Sequence, residues 1–222
     1  MIDRLLSTIA PHHCFGCGNV GTILCEGCKY DIVTEPFLTC VSCGKLASLS
    51  SGLCFDCQMP YERAWCVADR RDHLEQLIDA YKFKNTKAAY EPLADLLHSR
   101  LPDLPPYTVV IPIPTVNSHI RQRGYDHMLL IARQLGRLRR LPVDTSLTRA
   151  TNTTQRGAGA RERSAQAKFA FTCDRKLDPQ ALYLLVDDVI TSGATVKYAA
   201  QTLRDAGATR VWVASVSRQP LD

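Results

Sequence analysis

Four Cys-x-x-Cys pairs near the N-terminus restrict the possible folds of this chain more than any other feature. The pairs are Cys14/Cys17, Cys25/Cys28, Cys40/Cys43 and Cys54/Cys57. A Cys-x-x-Cys turn directs two thiolates toward one point, so two such turns complete a tetrahedral sulfur site. Zinc is redox-inert and accepts four thiolates at about 2.3 Å. The spacing therefore predicts two zinc ions, each held by four cysteines.

Two pairings of the turns are compatible with the spacing. In a sequential arrangement, one zinc takes the first two pairs and the other takes the last two. In a cross-braced arrangement, the first pair joins the third and the second joins the fourth. Either way, eight thiolates close both coordination shells and leave no position for water, which predicts structural metal. His12 and His13 are then not needed as ligands, and Cys66 and Cys173 are predicted to be ordinary buried residues.

Length and composition limit what the rest of the chain forms. The 222 residues exceed one average domain but hardly suffice for two large ones, and 45% hydrophobic with 22% charged residues is ordinary for a globular chain. We expect a double zinc ribbon module at 1–60, where metal replaces a missing core, and a larger domain at 61–222. The N-terminus lacks signal-peptide features, and no segment approaches the roughly 20 apolar residues of a membrane helix. The expected location is the cytoplasm, without membrane insertion, where reduced thiols favour metal over disulfides.

Apolar periodicity after the cysteine pairs indicates strands that alternate with helices. Helical spacing predicts helices at Asp72–Lys84, Lys87–Arg100, Asp126–Leu138 and Thr195–Asp205. Apolar or alternating runs predict strands at Ala64–Ala68, Tyr107–Ile113, Leu182–Val186 and Arg210–Val216. This order predicts an α/β domain with a parallel sheet flanked by helices.

The segment Leu182 to Thr195, LYLLVDDVITSGAT, carries the clearest chemical signal. An apolar strand leads into two carboxylates, and a loop rich in hydroxyl groups then precedes a helix. A helix N-terminus supplies unpaired N–H groups and a positive dipole end, and Gly193 lets the backbone wrap around an anion. The loop is neither a Walker loop nor a Gly-x-Gly-x-x-Gly fingerprint. A phosphate beside groups that accept from sugar hydroxyls predicts a site for a 5-phosphoribosyl group.

VDDVITSGAT resembles the phosphoribosyl-pyrophosphate signature of type I phosphoribosyltransferases. The rest of the chain is similar to the ComF family (ComFC-like competence proteins), which combines a double zinc ribbon with a phosphoribosyltransferase domain. The pieces that carry this resemblance span nearly the whole chain. Besides the cysteine pairs and the loop, they are Tyr81-Lys82-Phe83, Ile111-Pro112-Ile113-Pro114, Arg121-Gln122-Arg123-Gly124-Tyr125, Gln155, Arg161 and Arg163.

The resemblance implies binding of phosphoribosyl pyrophosphate together with Mg²⁺. Asp187 and Asp188 would hold the ribose hydroxyls, the loop from Thr191 would bind the 5-phosphate, and the loop after Ile113 would lie near the pyrophosphate. Mg²⁺ would bridge pyrophosphate and ribose oxygens. The residues implied in this site are Asp187, Asp188, Val189, Ile190, Thr191, Ser192, Gly193, Ala194, Thr195, Lys82 and Arg123.

Three positions depart from the family pattern. Tyr125-Asp126-His127 stands where the family usually has Phe-Asn-Gln, and Ser164 stands where it usually has Asn. Thr191 occupies the position at which purine-salvage relatives often have an aspartate base. These departures affect recognition of a base and turnover more than binding of ribose phosphate. No catalytic residue is assigned: His119 and His127 are interpreted as polar loop or helix-surface histidines rather than acid–base groups.

Basic charge is concentrated between Arg121 and Arg163. This segment has ten arginines and three acidic residues, for a net charge of +7, whereas the rest of the chain has −2. Arginine suits bidentate phosphate contacts and stacking on bases. One interpretation is a groove for single-stranded nucleic acid or a polyphosphate lid; the other is a solvated helix face followed by a surface loop. The candidate residues for nucleic acid are Arg121, Arg133, Arg137, Arg140, Arg156, Arg161 and Arg163.

Three functions are compatible with these features. The first is a ComF protein that binds phosphoribosyl pyrophosphate and handles single-stranded DNA in natural transformation. The role in transformation is implied by the resemblance alone, as is a DNA-uptake helicase or recombination mediator as partner. The second is an active phosphoribosyltransferase in nucleotide salvage or biosynthesis. The third is a zinc-dependent nucleic-acid adaptor with a relict pocket. In each case we expect zinc removal to unfold the N-terminal module and to leave the α/β body folded.

Overall fold

The computed structural model describes residues 11–150 and 170–220. The helices of this part, in chain order, are α1 (Glu26–Thr34), α2 (Asp72–Phe83), α3 (Tyr90–Arg100), α4 (Asn117–Arg123), α5 (His127–Arg139) and α6 (Ala194–Asp205). The strands are β1 (Arg63–Asp69), β2 (Thr108–Pro112), β3 (Leu147–Arg149), β4 (Phe171–Cys173), β5 (Leu182–Ile190) and β6 (Arg210–Arg218). A 3₁₀ turn, Lys87–Ala89, precedes α3.

The predicted parallel sheet is confirmed. Among the described residues, four strands form it in the order β1-β6-β5-β2, and every neighbouring pair is parallel. Val186 pairs with Ala214 of β6 on one side and with Pro112 of β2 on the other. The carboxyl ends of all these strands therefore lie at one edge of the sheet, where α/β proteins place their ligands. Strands β3 and β4 form a separate antiparallel ribbon.

Each face of the sheet has its own apolar core, because side chains alternate along a strand. On one face, Val186 is buried in a cluster with Leu77 of α2 and Ile131 of α5. On the other, Leu185 is buried in a cluster with Leu203 of α6. Burial of each such side chain contributes roughly 1.5–3 kcal/mol. The two helical layers fix the positions of α2, α5 and α6 around the end of β5.

The N-terminal cysteine-rich segment contributes to both cores. Leu24 is buried in the cluster that contains α2 and α5, whereas Val41 and Leu53 are buried in the cluster that contains α6. Beside the start of β1, the N–H of Ala64 donates to the carbonyl of Ser51 at 2.7 Å. The segment thus passes over the β1 edge and has one pair of Cys-x-x-Cys turns on each face. The division of the chain at residue 60 stays a prediction.

The main differences from the predicted elements lie at the carboxyl ends of the central strands. Strand β5 continues to Ile190 and β6 to Arg218, because the two strands stay paired as far as these residues. Helices α1 and α4 were not predicted; neither has a fully buried residue, so neither shows apolar periodicity. Strands β3 and β4, also unpredicted, have only three residues each.

The two cysteines outside the Cys-x-x-Cys pairs differ in burial. Cys66 is 1% exposed within β1, as predicted. The prediction for Cys173 is wrong, since it is only partly buried, at the end of the two-stranded ribbon, where it packs on the border of the core that contains α6. In the part of the chain that the structure describes, no helix is both long and apolar enough to cross a bilayer.

Candidate functional site

The eight cysteines of the Cys-x-x-Cys turns form two groups of four, and the pairing is sequential. Within each group the Sγ atoms all lie within 4.8 Å of one another, so the cross-braced alternative is wrong. One group contains Cys14, Cys17, Cys25 and Cys28, and the other contains Cys40, Cys43, Cys54 and Cys57.

Both groups have the donor set and the spacing that zinc requires. Tetrahedral Zn–S bonds of about 2.3 Å separate the sulfur atoms by about 3.8 Å. The Sγ atoms of Cys17 and Cys25 are 3.8 Å apart, and those of Cys43 and Cys54 are 3.4 Å apart. Thiols this close cannot all ionise without a cation, and the hydrogen bond from Cys25 is the main cause that raises the pKa of Cys28 to about 12. A divalent cation with four thiolate ligands relieves this conflict.

Two buried carboxylates lie near the carboxyl end of β5. Asp187 is 7% exposed and Asp188 is 5% exposed. The strand predicted at Leu182–Val186 ends just before them, whereas in the structure both lie within β5, which is paired in register with β6. Because successive side chains of a strand point to opposite faces, the two carboxylates face different layers of the protein.

Asp188 lies between two cationic or hydrogen-bonding side chains from neighbouring helices. Lys82 of α2 places its Nζ 2.9 Å from Oδ2 of Asp188, and His127 of α5 places its Nε2 2.7 Å from the same oxygen. Burial alone would raise the pKa of Asp188, but Lys82 and His127 outweigh it and hold the pKa well below its usual range. Asp188 is therefore an anion held in a fixed position.

The contacts of His127 define which ring nitrogen carries the proton. Nη1 of Arg123 lies 2.8 Å from Nδ1 of His127, and a guanidinium can only donate, so Nδ1 accepts. The proton of the neutral ring is then on Nε2, where it is donated to Asp188. The hydroxyl of Thr115, 3.1 Å from Nδ1, donates to Asp126 at 2.7 Å.

Local structure holds His127 at this place. Asp126 caps α5 by accepting from the N–H groups of Met128 and Leu129, each at 3.1 Å. The hydroxyl of Tyr81, from α2, donates to the carbonyl of His127 at 2.7 Å. The interpretation of His127 as a surface residue is wrong: it is 7% exposed, because packing of α5 on the sheet covers its first turn. His119, in contrast, is exposed.

Asp187 has a different environment from that of its neighbour. Burial and the nearby charge of Asp188 raise its pKa to about 7. Its Oδ1 accepts from the N–H of Asp188 at 2.9 Å. Arg149, at the end of β3, interacts electrostatically with Asp187 and donates through Nε to the carbonyl of Pro114 at 3.0 Å. Asp187 can therefore accept a proton or a hydrogen bond from a polar group that enters the site.

The loop after β5 leads directly into α6. Thr191 and Ser192 are exposed, and Gly193 is the N-cap of the helix with φ 74°, a left-handed conformation that favours glycine. No side chain caps this end. The N–H groups of Ala194 and Thr195 have no partner within the helix and remain available to an anion.

The loop after β2 lies beside β5. The N–H of Ile113 donates to the carbonyl of Val186 at 2.9 Å, which brings the following residues to the carboxyl edge of the sheet. Arg123 ends α4 and contacts His127, and its guanidinium lies 5.9 Å from the ring centroid of Phe83. The structure thus brings Lys82 into direct contact with Asp188 and joins Arg123 to the same carboxylate through His127.

The arginine candidates are spread more widely. Arg121 is exposed on α4, and Arg133 and Arg137 are exposed on α5, with Arg140 just beyond its end. At about 1.5 Å per residue, Arg133 lies about 9 Å along the helix axis from His127 and Arg140 about 20 Å. Their positions therefore lie progressively farther from the end of α5 that contacts Asp188. The remaining candidates and positions that carry the resemblance, Gln155, Arg156, Arg161, Arg163 and Ser164, lie outside the described residues.

Sequence reasoning missed the roles of His127, Thr115 and Arg149. Each contacts the site through tertiary packing between segments far apart in the chain. The only local signal was Asp126 directly before an apolar periodic run, which is typical of a helix N-cap and fixes where α5 begins. It could have indicated that His127 occupies the first turn, but not which strand that turn contacts.

Comparisons with known proteins identify relatives along nearly the full length. No protein-family model matches the chain. The chain is 30% identical over 211 residues to Competence protein F of Haemophilus influenzae, covering 88% of this chain and 90% of that protein. It is 30% identical over 208 residues to the DNA utilization protein YhgH of Escherichia coli, covering 85% of this chain and 88% of that protein.

Among solved structures, a glutamine phosphoribosylpyrophosphate amidotransferase from B. subtilis is similar with a TM-score of 0.41 and 19% identity, over 57% of this chain and 25% of that one. That overlap is too weak to add to the fold described above. The two relatives match at 30% identity over 88% and 85% of this chain. The chain belongs to the ComF family, that of Competence protein F and YhgH.

Proposed function

We propose that this protein binds phosphoribosyl pyrophosphate with Mg²⁺ and uses that site while handling single-stranded DNA during DNA uptake. The observation that carries the first part is the juxtaposition of two buried carboxylates, Asp187 and Asp188, with the uncapped N-terminus of α6. A diol needs hydrogen-bond acceptors and a phosphate monoester needs N–H donors. The chain supplies both within a few residues.

Each part of the ligand has a matching group. The ribose hydroxyls donate to Asp187 and Asp188, and the 5-phosphate accepts from the backbone of Thr191 to Thr195 and from their hydroxyl groups. Arg123 supports the pyrophosphate from the other side. Mg²⁺ is a hard cation that binds mainly through substrate phosphates, and the two carboxylates suit it as further oxygen partners.

Lys82 has two partners in this proposal. Without ligand it neutralises Asp188 at 2.9 Å. When the ribose and Mg²⁺ reach the carboxylates, the ammonium group is displaced toward the pyrophosphate, since a flexible four-carbon stem allows the charge to move while its base stays on α2. The ion pair thus keeps the site charge-balanced before the ligand arrives.

The DNA part of the proposal rests on the relatives and on the exposed arginines of α5. One relative is named for competence and the other for DNA utilization. Arg133 and Arg137 lie four residues apart on one side of α5, Arg140 follows at the end of the helix, and all three are exposed, so they present positive charge together. Such a stripe suits the backbone of a single strand.

Titration calorimetry tests the ligand. Phosphoribosyl pyrophosphate with Mg²⁺ is titrated into the zinc-loaded protein, into Asp187→Asn/Asp188→Asn, and into Asp103→Asn/Asp174→Asn, which removes two exposed acids elsewhere. We expect saturable binding by the unmutated protein and the exposed pair, and none by the β5 pair. No binding by the folded, unmutated protein would overturn the ligand and favour the relict-pocket adaptor.

Fluorescence anisotropy tests the DNA part. A labelled oligodeoxythymidine is titrated into the unmutated protein, into Arg133→Gln/Arg137→Gln/Arg140→Gln, and into the charge-matched Lys45→Gln/Arg71→Gln/Lys176→Gln. We expect the arginine variant to bind more weakly and its salt slope to fall by about 2, since each lost phosphate contact removes about 0.7. If both triple variants lost the same affinity for the oligodeoxythymidine, net charge would explain the effect, and a defined DNA-binding face would be contradicted.

A second candidate function, transfer of the phosphoribosyl group to a base, is favoured by Phe83. This side chain is 72% exposed and directly follows Lys82, and Arg123 lies over its ring. An exposed aromatic face beside the site suits a stacked base. Release of pyrophosphate on mixing phosphoribosyl pyrophosphate with nucleobases, compared between the unmutated protein and Phe83→Ala, tests it; no release with any base excludes this function.

A further inference from the structure

The second zinc group lies against the loop that we propose to bind phosphate. An ideal Cβ built at Gly193 would lie 3.6 Å from Cα and 3.7 Å from Oγ of Ser42. Ser42 stands between Cys40 and Cys43, in the first turn of that group. Gly193 is buried although Thr191 and Ser192 beside it are exposed, and Ser42 is what covers it.

A buried arginine fixes this turn to the sheet. Arg218, the last residue of β6, is 2% exposed and donates through Nε to the carbonyl of Val41 at 3.1 Å. It is paired in register with Ile190, the last residue of β5, and the N–H of Gln219 donates to the carbonyl of Ile190 at 2.8 Å. The turn and the start of the loop therefore share one anchor.

The same arginine leaves positive charge at this edge. Among the described residues no carboxylate lies within ion-pair distance of Arg218; its Nη1 donates to the carbonyl of Gln219 at 3.4 Å, and its Nη2 is buried without a hydrogen-bond partner. A buried cation without a counter-charge is unfavourable until an anion comes near. This observation is independent of the helix N-terminus and points to the same kind of ligand.

We propose that the Cys40–Cys43 turn forms a wall of the phosphate cradle, with Ser42 as a further ligand-binding residue. The hydroxyl of Ser42 exchanges its weak contact with Sδ of Met59, at 4.0 Å, for a hydrogen bond to the phosphate monoester held at Gly193 and α6, and Arg218 keeps the turn in place. Zinc at the second group is then required for anion binding, whereas zinc at the first group, on the opposite face of the sheet, is not. The inference rests on the proposed phosphoribosyl pyrophosphate site.

Variants of the turn itself give the direct test. Calorimetry with phosphoribosyl pyrophosphate and Mg²⁺ compares Ser42→Ala, Ser42→Leu and Ser50→Leu, an exposed serine of the same module. We expect Ser42→Ala to weaken binding about tenfold, as for a lost hydrogen bond to a charged group. Ser42→Leu should abolish binding by filling the cradle, and Ser50→Leu should leave it unchanged.

A matched pair of zinc-site variants separates the two groups. Cys17→Ala and Cys43→Ala each remove the second cysteine of the first turn of a group; zinc content and circular dichroism verify each sample. We expect Cys43→Ala to lose ligand binding and Cys17→Ala to retain it. Binding by the unmutated protein that is unaffected by Ser42→Leu would overturn this inference and leave the proposed function intact, whereas no binding by the unmutated protein would overturn the function itself.

Discussion

The ammonium nitrogen of Lys82 lies 2.9 Å from a carboxylate oxygen of Asp188, and both side chains are largely buried. The two residues come from α2 and β5, and their contact joins the helical layer to the end of the central strand. A buried pair of this kind fixes a geometry, since loss of either partner leaves an uncompensated charge.

Replacement of Lys82 by methionine should therefore weaken both the fold and the ligand site. We expect Lys82→Met to lower the free energy of unfolding by about 3 kcal/mol, because Asp188 keeps only His127 as a partner. The affinity for phosphoribosyl pyrophosphate should fall more than tenfold. Chemical denaturation and calorimetry measure the two effects. Lys84→Met, which removes an exposed lysine two residues away, is the control, and equal behaviour of the two variants would contradict the role of Lys82.

Asp187 should make stability depend on pH in a predictable direction. Its pKa in the folded protein is raised to about 7, so burial of the protonated form is favoured. The contribution of protonated Asp187 to the free energy of unfolding is fully present below about pH 4, near the usual pKa of a free aspartate. It is lost as the pH rises through about 7. Asp187→Asn stays neutral and should be more stable than the unmutated protein by about 2–4 kcal/mol at pH 8. At pH 4 the two should be nearly equal, and urea denaturation across this range measures the difference.

His127 should be replaceable by a residue that donates a hydrogen bond, but not by an apolar one. His127→Gln keeps an N–H donor for Asp188, whereas His127→Leu leaves that carboxylate with one partner fewer. We expect His127→Leu to lose about 1–3 kcal/mol of stability and to bind phosphoribosyl pyrophosphate more weakly, with His127→Gln close to the unmutated protein. Thermal unfolding and calorimetry distinguish them. If glutamine and leucine proved equally damaging, His127 would act by its shape alone.

Zinc removal should unfold the cysteine-rich segment and also destabilise the α/β body. A chelator should release two zinc ions per chain and unfold the cysteine-rich segment. The body should stay folded. Its unfolding temperature should fall by several degrees, because Leu24, Val41 and Leu53 then no longer pack in its two cores. A colorimetric indicator measures the zinc released, and circular dichroism during heating measures the unfolding temperature. Complete loss of helical signal at room temperature would contradict an independent body.

The elements of the body were predictable because they carry strong apolar periodicity. Helix α2 was predicted from Asp72 to Lys84 and runs from Asp72 to Phe83, since Leu74, Leu77 and Ile78 repeat at helical spacing and are buried. The end of β5 was not predictable: polar carboxylates suggest a loop, yet Asp187 stays in the sheet through its pairing with Ser215.

The candidate site was predictable in its composition but not in its contacts. The loop after β5 and its two carboxylates follow from a local pattern of residues. Contacts such as that of Ser42 with Gly193 join segments about 150 residues apart, and no local pattern indicates them. The hydrogen bond of His127 to Asp188 spans 61 residues in the same way. Packing of α5 and of the second zinc group on the sheet creates these contacts.

The route of the N-terminal segment over β1 also has a consequence for association between molecules. Strand β1 is at the edge of the sheet, and an uncovered edge is a template for pairing with another chain. The carbonyl of Ser51 accepts a hydrogen bond from the N–H of Ala64 at that edge, and Ser51 lies between Cys43 and Cys54 of the second group. Metal-depleted protein should therefore aggregate through strand addition at β1, so the cysteines protect this protein from self-association as well as holding its fold.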